Sequence, residues 1–508
     1  MRRLCLLLLA FVCIACTAAP VAPAPLTPTA GPLAATSAPL PTTAAVANAG
    51  GLALYQAAMK PEFAAEVDRF ATAPQYQIDL TIAPDRASYS AKQKVRYTNA
   101  ESVPLNEVYF RLFPNSEAYG GQLKIESLKA NGADVTPHYE LAETAMKIEL
   151  AQPLKSGEAI EFEMEYSAQV PTQDVEIGYN RFGLHSNILA LPGFFPLIPV
   201  YDDEGWNVEV APPQGDTVFS DTALFQVNIT APAEEVVATS GVCEVTPGGQ
   251  IKTWRCVSGP MRDFMIAMSP DYQVQSETVE GIKLNSYYRE DLADEGKRGL
   301  QIMANAVRAY DKHIGQYPFN ELDLVATPTT AGGIEYPGLV VIAEGLSNLS
   351  PDFYEGATAH ETAHQWWYSL VGNDQIDEPW LDEALTEFTT ALYYREQGGS
   401  AALRSYVIQD LQQRYDRVKG TPDDKRADLP VDAYSERQYG AIVYGKAALF
   451  FNAIYKEVGD EKFDQLLQEY YTTYRYGVAY PQDFLAIAAK YTRQDKLEEI
   501  LKEWIETP

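Results

Sequence analysis

Positive charge is scarce in this chain: 39 Lys and Arg stand against 69 Asp and Glu, a net charge of −30 over 508 residues. Affinity for nucleic acid comes largely from cations that neutralise phosphates, so this balance argues against a DNA- or RNA-binding protein. Long apolar runs are equally scarce. Residues 4–15 are the main one, and twelve residues are too few to cross a bilayer as a helix. Cysteine is rare as well, with Cys5, Cys13 and Cys16 at the N-terminus and only Cys243 and Cys256 beyond. Histidine occurs five times, and no internal repeat is present, which excludes solenoid and propeller architectures. With 46% hydrophobic residues the chain is nevertheless too apolar to be disordered, and its length suits several domains.

The N-terminus reads as an address. Arg2 and Arg3 precede the short apolar run, as in a secretory signal, and Ile14-Ala15-Cys16 resembles the lipobox at which bacterial lipoproteins are cleaved and acylated on cysteine. Cleavage by ordinary signal peptidase within the following small residues is the alternative. Residues 17–50 contain Pro, Ala and Thr but no charge, a composition expected to form an extended tether of about 100 Å at about 3.1 Å per residue. The expected organisation is a signal with a lipobox-like cysteine over 1–16, a disordered tether over 17–50, a β-rich domain over 51–280 and a catalytic domain over 281–508. Cys243 and Cys256 flank the turn Thr246-Pro247-Gly248-Gly249, so an exported chain predicts a cross-strand disulfide, with free buried thiols as the alternative.

Periodicity divides the rest. Tyr76, Ile78, Leu80 and Ile82 alternate with polar residues, as do Ile160, Phe162, Met164 and Tyr166, and Phe225, Val227 and Ile229. Period two with one polar face predicts antiparallel sheets covered on one side. Beyond about residue 292 helical patterns dominate, at 292–314, 352–371, 380–397, 400–417, 440–457 and 460–473, with two shorter helices after them. The fold class expected is α+β and multi-domain, an antiparallel β domain before a mainly helical one.

The helical part carries His360-Glu361-Thr362-Ala363-His364, an HExxH motif that rarely arises by chance in a chain with five histidines. Residues four apart share one helix face, so both imidazoles can address one metal with Glu361 beside them. Ser350 and Pro351 read as the helix start and Gly372 as its end. A catalytic zinc needs a third protein ligand. Glu383, in Trp380-Leu381-Asp382-Glu383, follows His364 by 18 intervening residues, with Glu378, Asp382 and Glu387 as neighbouring alternatives.

That spacing, within a Trp-Leu-x-Glu context, resembles the gluzincin aminopeptidases, the family of aminopeptidase N and leukotriene hydrolase. Gly332-Gly333-Ile334-Glu335-Tyr336, with Glu335 placed 25 positions before His360, is similar to the family's Gly-x-Met-Glu-Asn exopeptidase motif, and Tyr444 in Val443-Tyr444-Gly445-Lys446 to its transition-state tyrosine. The resemblance implies a saddle- or sandwich-like N-terminal β domain, a thermolysin-like catalytic domain, and one zinc ion on His360, His364 and Glu383. It further implies Glu361 as general base, Tyr444 as oxyanion donor, and Glu335 as the carboxylate that pairs with a substrate's free α-ammonium. Gly332, Gly333, Ile334 and Tyr336 would line the path of a peptide. Ile334, Tyr336 and Ala384 depart from the usual Met, Asn and Gly, and the chain resembles a short form without the family's large C-terminal helical domain, which predicts an open cleft.

The expected function is therefore an exported zinc aminopeptidase acting on peptides with a free N-terminus, touching membrane only through a lipid anchor at the bacterial cell surface, or else secreted. A zinc endopeptidase and a non-catalytic surface-binding lipoprotein are the alternatives. Trp366 and Trp367 read as packing residues, Tyr439 as a candidate for the cleft, and His138, His185 and His313 as unrelated to the metal. Asp202, Asp203 and Glu204 read as a solvated loop, with calcium binding as the alternative.

Overall fold

The computed structural model describes residues 51–508, Ala211 and Thr217 excepted; the leader, Cys16 and the whole Pro/Ala/Thr tether lie outside the described residues. Strand Gln75–Ile82 buries every second side chain, with Tyr76, Ile78, Leu80 and Ile82 each at most 4% exposed. It pairs antiparallel with Ser88–Thr98, which pairs antiparallel with Ala159–Gln169 from Ser88↔Gln169 to Thr98↔Ala159. These strands form the middle of an eight-stranded sheet. Its polar face carries cross-strand pairs such as Lys92 to Glu165 at 2.8 Å and Lys94 to Glu161 at 2.7 Å, solvated contacts worth little to stability. Its apolar face, which includes Phe162 and Phe225, packs on Phe110, Phe194 and Phe195. One pairing departs from the antiparallel expectation: Gln75–Ile82 runs parallel to Leu224–Pro232, which brings distant segments of the chain side by side.

The hairpin of Val242–Pro247 and Ile251–Val257 sets Cys243 opposite Cys256, and the two are joined by a disulfide. Cys256 is fully buried beneath it.

A second sheet, in the order Tyr272–Val279, Ile282–Arg289, Glu321–Thr327, Leu339–Ala343, Gly333–Ile334, underlies the helical half. Because Tyr272–Val279 hydrogen-bonds to Ile282–Arg289, the change from one architecture to the other falls between Ser269 and Tyr272 rather than at residue 280. Alternation marks Tyr272–Val279 as a strand but does not say which sheet it joins. The short strand Gly333–Ile334 is the edge of this sheet.

Helix Pro351–Ala363 carries the HExxH motif, starts after Ser350 as expected, and stops well short of residue 371. After His364 the chain folds into turns closed by Ser369 N–H to His364 O and Val371 N–H to Trp366 O. Tyr368 adopts φ 105°, a conformation costly for a residue with a side chain; its carbonyl accepts from the buried Arg262 at 2.9 Å. Trp366 and Trp367, at most 1% exposed, anchor these turns in the core. Burying about 200 Å² per indole gives about 5 kcal/mol of transfer free energy as an upper figure, enough to hold the chain out of a helical path. Helix Trp380–Tyr406 follows, with Gly398 and Gly399 (φ 68°) breaking it where separate helices are expected.

Candidate metal centre

His360 lies in the last turn of helix Pro351–Ala363, His364 caps that helix, and Glu383 sits in the first turn of Trp380–Tyr406. The connecting segment reverses the chain so that the end of the first helix meets the start of the second. His360 Nε2 and His364 Nε2 are 3.1 Å apart, and Glu383 Oε2 is 3.2 and 3.3 Å from them. All three side chains are buried, and they form the one group of three metal-ligating side chains among the described residues.

The donors fit a divalent metal. His364 Nδ1 is 3.0 Å from the Trp367 carbonyl oxygen, which only accepts, so the ring proton sits on Nδ1 and the Nε2 lone pair faces His360 and Glu383. Lone pairs converging in a buried site call for a cation between them. Two imidazoles and one carboxylate are a donor set suited to zinc with a position left open. Burial opposes ionisation of the Glu383 carboxyl, but the adjoining imidazoles outweigh it and hold the group below the usual carboxylate range.

Glu361 is 7% exposed, and its carboxyl is pushed well above the ordinary range, first by burial and then by the charge of Glu335. A Cβ on Gly333 would lie 2.4 Å from Glu361 Cγ and 2.7 Å from its Oε1. Gly333 therefore makes room for the Glu361 side chain, a role distinct from the peptide path expected of it. A Cβ on Gly332 would meet only the ring of Phe353, at 2.9 Å.

Tyr444 stands in a single π-helical turn, Ile442–Ala447, between helices Glu436–Ala441 and Ala448–Val458. Such a turn re-aims a side chain and is frequent at functional sites. The Tyr444 hydroxyl donates to Glu383 Oε1 at 2.5 Å, and its ring lies 5.9 Å from that of His360. Burial, then the Glu383 charge, raises the phenol well above its usual range, so it remains a proton donor. Tyr439 packs edge-on against Tyr444 at 5.6 Å and supports it from behind the cavity wall.

These groups face one cavity of about 1300 Å³. Gly332, Gly333, Ile334, Glu335, Glu361, the three metal-ligating residues and Tyr444 all line it. Tyr336 does not: it is 6% exposed in an apolar cluster with Ile188, Met265 and Leu339, so its expected place on the peptide path is not borne out. Glu335, next to it in the chain, lines the cavity.

The β-rich half contributes Tyr179, Arg181, Gln214 and Asp216 to the same wall. None carries a local pattern that marks it. Gln214 is fixed by its amide nitrogen on the Tyr434 carbonyl at 3.0 Å, and burial, then the charge of Glu335, raises the Asp216 carboxyl well above its usual range. Arg414 was likewise not foreseen; it pairs with Glu387 at 2.5 Å and lies 5.8 Å from the Tyr444 ring centroid. Elsewhere, His138 is exposed, His185 lies 3.6 Å from Asp174, and His313 is held between Asp464 and Glu396. Asp202 accepts from Glu204 N–H and Asn207, which closes a turn.

Residues 299–504 match the model of the peptidase family M1 domain. Aminopeptidase M1-B of Oryza sativa subsp. japonica is 25% identical over 295 residues, 52% of this chain and 32% of that protein. Aminopeptidase N of Acetobacter pasteurianus is 29% identical over 182 residues, 33% of this chain and 51% of that one. The chain thus spans about a third of the rice protein and half of the bacterial one. An M1 zinc metallopeptidase from Deinococcus radiodurans superposes with a TM-score of 0.65 at 19% identity, covering 85% of this chain and 94% of that one. That likeness establishes the fold: a β-rich half followed by a mainly helical half. The matched residues include the whole metal triad, Glu361, Glu335 and Tyr444.

Proposed function

We propose that this M1 protein is an exported zinc aminopeptidase that removes the N-terminal residue from peptides. One observation carries the reading: the buried Glu335 carboxylate shares a cavity wall with His360, His364, Glu383, Glu361 and Tyr444. Three or more carboxylates in one buried cavity favour a cationic ligand, and a peptide's α-ammonium is the cation that would stop a substrate at this depth. A Deinococcus radiodurans relative of the same fold has been solved with a Tyr-Ser-Ala substrate, which fits a short peptide as the ligand class.

His360, His364 and Glu383 would hold the zinc, which when bound supplies Lewis acidity that polarises a carbonyl and lowers the pKa of water towards about 7. Glu335 pairs with the α-ammonium and so sets the cut one residue from the N-terminus. The edge strand Gly333–Ile334 offers backbone groups along which an extended peptide can lie. Glu361, whose carboxyl is already raised, takes a proton from the attacking water and passes it to the leaving amine. Tyr444 donates its hydroxyl hydrogen to the oxygen on which negative charge gathers.

Export with lipidation at Cys16 is part of the proposal. What supports it is the Arg2-Arg3 leader with its short apolar run, the uncharged spacer over 17–50, and the pairing of Cys243 with Cys256, a bond suited to a non-reducing compartment. No helix among the described residues is long and apolar enough to cross a membrane.

The test compares an amino-acyl amide bearing a free amine with its N-acetylated twin, with and without a chelator. Chelator-sensitive turnover of the free amine alone is expected. Equal turnover of the acetylated twin would make the protein an endopeptidase, and bound zinc without turnover of either would favour a binding protein.

A further inference from the structure

The last stretch of the segment joining the two ligand-bearing helices, residues 372–379, does more than reverse the chain. Gln375 is only 2% exposed, and its side-chain nitrogen donates to Glu335 Oε1 at 3.1 Å and to Asp382 Oδ2 at 2.8 Å. Carboxylates only accept, so both amide hydrogens are committed and the orientation of the amide is settled. The other oxygen of Asp382 accepts from Asn373 Nδ2 at 2.9 Å, which ties the network to the start of the same segment. Asp382 immediately precedes the metal-ligating Glu383. Among the described residues no cation reaches ion-pairing distance of Glu335, and no other side-chain donor reaches its carboxylate.

We propose that Gln375 is the positioning residue of the amine site, holding the Glu335 carboxylate at the angle and depth that meet a substrate's α-ammonium. This rests on the aminopeptidase reading above and deepens it. Glu335 shares its cavity with Glu361, Glu383 and Asp216. Repulsion among these groups favours any rotamer that carries Glu335 away from them, and an unheld Glu335 also has side-chain torsions to order when substrate arrives. The Gln375 amide removes both problems with one charge-assisted hydrogen bond. Since the amide also grips Asp382, the depth of the amine site is registered against the helix that supplies Glu383. The amine anchor and the metal centre are thereby kept at a constant separation.

The zinc-loaded protein and its Gln375→Met variant, which keeps volume and loses the donor, are compared in three measurements. For an amino-acyl amide, KM is expected to rise about tenfold with kcat within about threefold. The inhibition constant of an α-amino hydroxamate is expected to rise about tenfold while that of its des-amino twin stays unchanged. Bound zinc is expected to remain at the wild-type level. If both hydroxamates weaken alike, or kcat falls while KM holds, Gln375 is merely structural and the proposal is overturned. If the wild-type protein itself does not prefer the α-amino hydroxamate, the aminopeptidase reading fails before Gln375 is tested. Should the Met variant not fold, Gln375→Asn, polar but too short to bridge both carboxylates, is expected to show the same loss of discrimination, and wild-type discrimination in it would overturn the proposal.

Discussion

Glu361 and its neighbour Gly333 show how closely single side chains are fitted here. A methyl group on Gly333 would occupy the space of Glu361 Cγ, at 2.4 Å, so Gly333→Ala must displace the general base. The expected result is a kcat lowered about a hundredfold with zinc retained, read by steady-state kinetics and metal analysis, whereas Gly332→Ala, which meets only the Phe353 ring, is expected to be milder. Tyr444→Phe keeps the ring beside His360 and removes the donor; a kcat lower by about two to three orders of magnitude with zinc and fold unchanged is expected, and near-normal turnover would remove Tyr444 from the mechanism. Much of this site was legible because chemistry imposes spacing: His360, Glu361 and His364 must share a helix face, and Glu383 must arrive from the next helix. Gln375, Arg414 and Asp216 were not legible, since nothing local distinguishes a glutamine that bridges two carboxylates from one in solvent. The orientation of Tyr336 was lost for a related reason. A motif places residues in order, and only the fold decides which of two neighbours faces the cavity.

Among the elements, the strands of the large sheet followed directly from alternation, because one face is buried and the other is wet. The helix carrying HExxH was read too long. Trp366, Trp367, Leu370 and Val371 continue an apolar pattern, yet they bury themselves through turns around Tyr368 rather than through further helix. Pairing partners were equally hidden: Tyr272–Val279 looks like the strands before it but belongs to the sheet beneath the helices. The hairpin disulfide closes a separation of 13 residues, which predicts a loss of about 3 kcal/mol in the Cys243→Ser, Cys256→Ser double variant by denaturant unfolding. Neither strand of this hairpin lines the cavity, so kcat/KM is expected to stay within about twofold; a larger loss would show that the hairpin reaches the site.

For the whole molecule, a net charge of −30 combined with buried acids makes pH a structural variable. Asp263 is 0% exposed; its Oδ1 accepts from the Phe264 N–H at 2.6 Å, its Oδ2 has no partner, and burial raises its carboxyl from 3.8 to about 6. The folded state therefore holds this proton more tightly than the unfolded one. Its contribution to stability is fully present below about pH 4 and is lost as pH rises through about 6. Asp263→Asn is expected to stabilise the protein at pH 8 by up to about 3 kcal/mol and to flatten the fall in stability between pH 4 and 6, measured by urea unfolding across that range. An unchanged slope would show that Asp263 is solvated or paired in the folded protein.

The joining of β-rich and helical halves around one cavity gives the account its central claim, that a single metal on His360, His364 and Glu383 works through Glu361. Zinc titration of the chelator-stripped protein, followed by turnover of an amino-acyl amide in wild type and Glu361→Gln, tests it most directly. Wild-type turnover is expected to rise linearly and level off at about one zinc per chain, with the variant binding the same zinc but turning over at least about a hundredfold more slowly. Turnover in the stripped protein, or a fully active Gln variant, would contradict the account.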